Sequence, residues 1–165
     1  MAIRKILSHP DPLLRAATRP VERFDAELAQ LISDMAETMY AAPGIGLAAP
    51  QIGVGLRLFV IDVASGGEGP SEFRVFVNPE LIERAGELHH AEGCLSLPGV
   101  RETVPRAGKV KVRAQNERGE HFELEATDVL AHALQHENDH IEGVLFIDHL
   151  STLRKRVALR ALKRE

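Results

Sequence analysis

Hydrophobic residues recur at helical spacing over residues 24–42, where Leu28, Leu31, Ile32, Met35 and Met39 share one face. Asp25 stands where a cap is needed and Pro43-Gly44 where the helix must stop, so an amphipathic N-terminal helix is expected. The pattern then changes. "LRLFVIDV" (56–63) is a continuous apolar run suited to a buried strand, and "FRVFVNP" (73–79) is a second strand closed by an Asn78-Pro79 turn. The Gly-rich "ASGGEGPSE" between them is a surface loop. In "KVKVRAQNERGEHFELEATD" (109–128), Val110, Val112 and Ala114 alternate on one arm and Phe122, Leu124 and Ala126 on the other. That spacing around "NERG" predicts a hairpin. Helical periodicity resumes after a cap at Thr127 or Asp128 and runs to about residue 142, with Gly143 placed to end it. Ser151 caps a last, basic helix whose Leu153, Val157 and Ala161 are expected to pack on the body.

This order predicts an α+β fold: mainly antiparallel sheets around the helix of residues 128–142, with an amphipathic helix before and a basic helix after. No repeat or linker divides the chain, so one catalytic domain is expected over 1–150, with 151–165 as a basic helix of the same domain.

Composition narrows the function. At 165 residues, 44% hydrophobic and 27% charged, the chain resembles an ordinary globular domain. Aromatics make up 4% and Trp is absent, which argues against stacking on bases and against a DNA partner. The apolar runs are too short to cross a membrane. "MAIRKILSHPDPLLR" lacks the apolar core of a signal peptide, so a cytoplasmic protein is expected. The last fifteen residues hold six Lys/Arg against one Glu, while the rest of the chain is acidic. Such a tail is either a solvated helix or a contact for an anionic partner.

The chemistry concentrates in "LQHENDHIEG" (134–143). His136 and His140 leave one helix face a turn apart, so both imidazoles can reach one ion, with Glu137 beside them as a base. The longer protease form of this motif needs a further ligand where this chain has Phe146, and a downstream glutamate would have to be Glu165. Cys94, the only cysteine, remains as the strong candidate for a third donor. One thiolate and two imidazoles leave a fourth position open, the arrangement of a catalytic ion. The tight run "GIGLAAPQIG" (44–53) suits close approach to backbone, and Gln51 within it is a candidate oxyanion donor.

"GIGLAAPQ" (44–51), "EGCLS" (92–96) and "QHENDH" (135–140), in that order, resemble the three motifs of the peptide deformylases. The resemblance spans nearly the whole chain. It implies hydrolysis of the formyl group from the N-terminal formyl-methionine of nascent polypeptides, with release of formate. It implies one divalent ion held by Cys94, His136 and His140, natively Fe2+, with Zn2+, Ni2+ or Co2+ able to take its place. Glu137 would move the proton, and the Gln51 amide with the Leu95 backbone N–H would steady the oxyanion. The peptide would lie extended against Gly44, Ile45, Gly46 and Gly93, with an apolar pocket at Ile45, Val129 and Ala133 for the methionine side chain. Arg101 would meet the peptide further along, or stand solvated on a strand. The basic tail would contact the ribosome.

His132 departs from the family, which often has an Arg or an apolar residue there. It could compete for the ion, border the pocket or point elsewhere; a complete Cys-His-His set favours a role other than ligand. Asp139 is placed to orient a ligand or bond to backbone. His89, His90, His121 and His149 are assigned to surface or packing. The rival readings are a zinc peptidase, a non-catalytic metal-binding module, and a cysteine nucleophile, which leaves one histidine and Glu137 without work.

Overall fold

A computed structural model describes residues 2–162. Seven strands and three α-helices follow one another as α1 (Ala26–Ala41), β1 (Gly46–Ala48), β2 (Leu58–Ile61), β3 (Arg74–Ala85), β4 (Leu88–Cys94), β5 (Leu97–Arg106), β6 (Lys109–Gln115), β7 (His121–Thr127), α2 (Asp128–Ile141) and α3 (Thr152–Leu159). Five strands form one antiparallel sheet in the order β1-β2-β3-β6-β7, and β4 and β5 form a separate antiparallel pair.

The large sheet is covered on both faces, which explains why β2 is apolar at every position. Leu58 and Val60 join the core beneath α1, with Leu28, Leu31, Ile32, Met35 and Met39. Phe59 and Ile61 point the other way, into a core with Phe76, Val112, and Ala131, Leu134 and Ile141 of α2. Asp25 caps α1 as expected, its side chain accepting from the Leu28 N–H. A third core lies under β5, where Leu97, Val100 and Val104 meet Leu145, Phe146, Ile147 and Ala158.

Three local expectations are corrected. Asn78-Pro79 does not end its strand: β3 continues to Ala85 through two register shifts. Asn78 adopts φ 50°, which Asn tolerates better than most residues, and its side chain grips both the N–H and the carbonyl of Val21. Pro79, without an N–H, sits where the ladder is already interrupted. Thr127 occupies the N-cap of α2, yet its side chain makes no capping bond. The tail packs through another phase: Ala158, Leu159 and Leu162 are the residues that reach the core. Leu153 and Val157 are 67% and 51% exposed, and Ala161 is exposed as well. Residues 163–165, part of the expected basic helix and including Glu165, lie outside the described residues.

The N-terminal segment is strapped across the body. The Leu7 N–H donates to the Gln51 carbonyl (2.7 Å) and the His9 N–H to the Ser96 carbonyl (2.8 Å). Arg4 reaches Asp34 of α1 through both its Nε and Nη2.

Candidate metal centre

Three segments meet at one point. Cys94 is the last residue of β4, at the corner of a tight Leu95–Ser96 turn into β5, where the β4–β5 register slips. His136 and His140 descend from α2 on one face, both buried. The sulfur of Cys94 lies 3.3 Å from Nε2 of His140, which lies 3.2 Å from Nε2 of His136. All three donor atoms fall within 4.8 Å of one another.

These separations fit a shared ion. Ligands at ~2.0–2.3 Å around a tetrahedral centre stand about 3.3–3.6 Å apart. His136 presents a lone pair here, because its Nδ1 is engaged by Oε2 of Glu92 and Nε2 is left bare. One sulfur and two imidazole nitrogens facing one another are a donor set that a single divalent ion can share. The electrostatics agree: although burial works against it, His136 is driven well above its ordinary pKa by Glu137, Cys94 and Glu92. His140 is pushed well below, by burial and by His136. The three donor atoms are close enough together to hold one cation.

Glu92 organises this arrangement. It is 2% exposed and accepts from His136, from His132 Nε2 (2.9 Å) and from Arg106 through Nε (3.1 Å) and Nη2 (2.7 Å). Burial alone would raise its pKa; these hydrogen bonds override that and hold it far below the usual carboxylate range. Arg106 also binds Asp139 (2.7 Å), which accepts from His149 (2.8 Å). Asp139 thus touches neither expected partner: it bonds to an arginine and a surface histidine, holding Arg106 against Glu92. His149 is exposed but belongs to this network. Glu92 and Arg106 had no role in the sequence reading. The only available signal was a glutamate two residues before the cysteine, and nothing local pairs it with an arginine on the next strand. Gln135 was also passed over: its buried amide binds both backbone groups of Ala107 at 2.8 Å, pinning α2 to the β5–β6 connection.

Glu137 is buried beside Gly46, where an added Cβ would lie 2.6 Å from its Oε2. Its Oε2 is 3.9 Å from His136 Nε2, and its Oε1 is buried with no hydrogen-bond partner among the described residues. Burial pushes its pKa up to about 7, which suits a group that both takes and returns a proton near neutrality. Gln51 is fixed from behind, since its Oε1 accepts from the Ala48 N–H (2.9 Å). Its amide nitrogen faces Ser96 Oγ (3.1 Å) and the Cys94 sulfur (3.7 Å).

A cavity of about 590 Å³ opens onto the cluster. The substrate-side candidates Gly44, Ile45, Gly46, Gly93, Arg101, Val129 and Ala133 all line it, as do Gln51 and Leu95. Ile45 and Val129 stand at its exposed edge and Ala133 is buried. Arg101 reaches the Ala91 carbonyl (3.4 Å). His132 is bound to Glu92 and lines the cavity; His90, assigned above to surface or packing, lines it too.

Comparison with known proteins agrees with this geometry. The polypeptide deformylase family model matches residues 3–156. A peptide deformylase of Acidobacterium capsulatum is 52% identical over 99% of this chain and 96% of its own length. The crystal structure of a peptide deformylase from Legionella pneumophila superposes with a TM-score of 0.91 at 52% identity, covering 97% of this chain and 93% of that one. The enzyme from Synechococcus elongatus in complex with actinonin gives 0.89 at 38% identity, covering 98% and 92%. The matched span takes in all three segments around the cluster, and the chain belongs to the polypeptide deformylase family.

Proposed function

We propose that this chain removes the formyl group from the N-terminal formyl-methionine of nascent polypeptides, with one divalent ion held by Cys94, His136 and His140. The observation that carries the reading is the close set of one sulfur and two imidazole nitrogens, with Glu137 buried beside it. When bound there, a divalent ion supplies Lewis acidity and makes water easier to ionise. A thiolate with two imidazoles suits Fe2+, the expected native ion, and also Zn2+, Ni2+ or Co2+.

The chain's own groups do the rest. Glu137 takes the proton of the attacking water and delivers it to the peptide nitrogen as the C–N bond breaks, so that formate and a free amine leave. The Gln51 amide, aimed by its bond from Ala48, and the Leu95 backbone N–H stabilise the oxyanion on the formyl carbon. The extended peptide hydrogen-bonds backbone at Gly44, Ile45, Gly46 and Gly93, which tolerates many sequences. Its methionine side chain enters between Ile45, Val129 and Ala133, and Arg101 meets a later residue.

The whole chain is proposed to act as one cytoplasmic catalytic domain, residues 1–150 with the basic segment 151–165 packed on it. No helix among the described residues is long and apolar enough to cross a membrane. The tail is proposed to touch ribosomal RNA. Arg154 and Lys155 pair with Glu102 and Asp148 on the body, while Arg156 and Arg160 face solvent. Salt-sensitive cosedimentation with ribosomes, lost on removing 151–165, is the expected result; unchanged binding sinks the tail reading.

The experiment for the enzyme is formate release from a formyl-Met-Ala peptide and its unformylated twin by anaerobically iron-loaded protein. Wild type and Glu137→Ala run side by side with metal content measured. Formate from wild type alone, at equal metal content, supports the assignment. No formate from folded, loaded wild type makes a non-catalytic metal-binding module the better account.

A further inference from the structure

Ser96 has no part in the chemistry proposed above, yet it is fully buried against a group that does. It stands two residues after Cys94, in the turn that also carries the Leu95 N–H. Its Oγ lies 3.1 Å from the amide nitrogen of Gln51, which is buried as well. An amide nitrogen donates and does not accept, so the hydroxyl oxygen takes one of its two hydrogens. The amide cannot be reversed, because its Oε1 accepts from the Ala48 N–H (2.9 Å). One amide hydrogen is left over. It belongs to a nitrogen that stands 3.7 Å from the Cys94 sulfur, at the edge of the candidate centre.

The two proposed oxyanion donors come from separate parts of the fold, Gln51 from the turn after β1 and Leu95 from the turn after β4. Among the described residues, the hydrogen bonds that join residues 44–53 directly to that second turn are the two made by the Gln51 amide. The bond to sulfur is long, and it is given up when the same hydrogen turns to an oxyanion. The bond to Ser96 is kept throughout. The geometry points to Ser96 as a positioning residue for the hydrolysis: its hydroxyl holds the Gln51 amide so that the second N–H meets the oxyanion alongside the Leu95 N–H. The inference rests on the deformylase reading above. Without the hydroxyl the amide is held at Oε1 alone and swings about that bond, and a displacement of about 1 Å costs on the order of 100-fold in rate. The donor works on charge that develops in the transition state, so the loss falls on kcat rather than on KM.

The test is a double-substitution cycle in the metal-loaded full chain: wild type, Ser96→Ala, Gln51→Ala and the pair together, with rates expressed per bound metal. Formyl-Met-Ala-Ser is the substrate. Gln51→Ala is expected to lower kcat by about 100-fold, the effect of removing one oxyanion donor. Ser96→Ala is expected to lower it by about ten-fold or more, with KM held within about three-fold. The pair matches Gln51→Ala alone within about two-fold, because Ser96 acts through the amide that is already gone. A serine that only supports the turn gives a different result. Ser96→Ala then lowers kcat by the same factor with or without Gln51, and that overturns the inference. Wild-type kcat in Ser96→Ala overturns it too. No formate from any of the four proteins overturns the deformylase reading and this inference with it; formate from wild type with independent losses overturns the inference alone.

Discussion

Glu92 accepts a hydrogen bond from Nδ1 of His136 and so leaves Nε2 of that ring bare toward His140 and Cys94. The same carboxylate neutralises Arg106, which is buried with it. Replacing Glu92 by Gln is expected to weaken metal affinity by about 10- to 100-fold, because the ring loses the acceptor that orients it. It also removes one of the two carboxylates that balance a buried guanidinium, so stability should fall by about 3 kcal/mol. Competition with a chromophoric chelator reads the first effect and urea denaturation the second. Wild-type chelator competition in the variant means that His136 does not depend on Glu92.

Gly46 and Glu137 touch so closely that no side chain fits between them. In Gly46→Ala the new Cβ would meet Glu137 Oε2 at 2.6 Å, and the carboxylate must move. A displacement of that order costs about 100-fold in kcat. Gly93→Ala is the matched control, since its Cβ would meet the flexible end of Arg101 at 3.2 Å. Equal kcat in the two variants would falsify the placement of Glu137 as the proton carrier.

The Arg4–Asp34 tether gives a pH dependence. Hydrogen bonds from Arg4, Gln30 and the Ala2 N–H lower the Asp34 carboxyl from 3.8 to about 2. A lowered carboxylate stabilises the fold fully above its unfolded pKa and loses that contribution as pH falls through the folded one. The Tm difference between wild type and Asp34→Asn should therefore be full at neutral pH and close as pH falls from ~4 to about 2. A difference that stays constant over that range removes the tether from the stability of the fold.

The tail and the first helix differ in what truncation costs. Met35 is fully buried, and Met35→Ala should cost about 2–5 kcal/mol. Leu153→Ala and Val157→Ala, on the exposed side of α3, should each change stability by less than about 0.5 kcal/mol. Denaturation midpoints decide. A large loss at Val157 restores the packing face expected from the sequence.

What the sequence revealed follows how local each signal was. α1, α2 and the β6–β7 hairpin repeat their apolar residues within one element, and His136, Glu137 and His140 announce themselves on one helical turn. Cys94 could be proposed as a ligand by elimination, but its position at a hairpin corner could not. The β4–β5 pair was invisible because most of "LHHAEGC" is exposed or half-buried, so no apolar alternation marks it. The Glu92–Arg106 pair exists only through that hairpin, and so was lost with it. The tail failed differently: both candidate stripes have helical spacing, and only contact with Leu97 and Phe146 selects the one containing Ala158.

The first ten residues contribute no proposed catalytic group, yet Leu7 and His9 bind the carbonyls of Gln51 and Ser96. Those two carbonyls belong to segments that pair in neither sheet with each other. The beginning of the chain is therefore the clasp that sets the amide donor opposite the thiolate turn. Trimming this end is therefore expected to loosen the alignment of the site together with the Arg4–Asp34 tether and the packing of Ile6 beneath α1. It also imposes an order on assembly, because the clasp, made first, has nothing to fasten until both later loops have emerged.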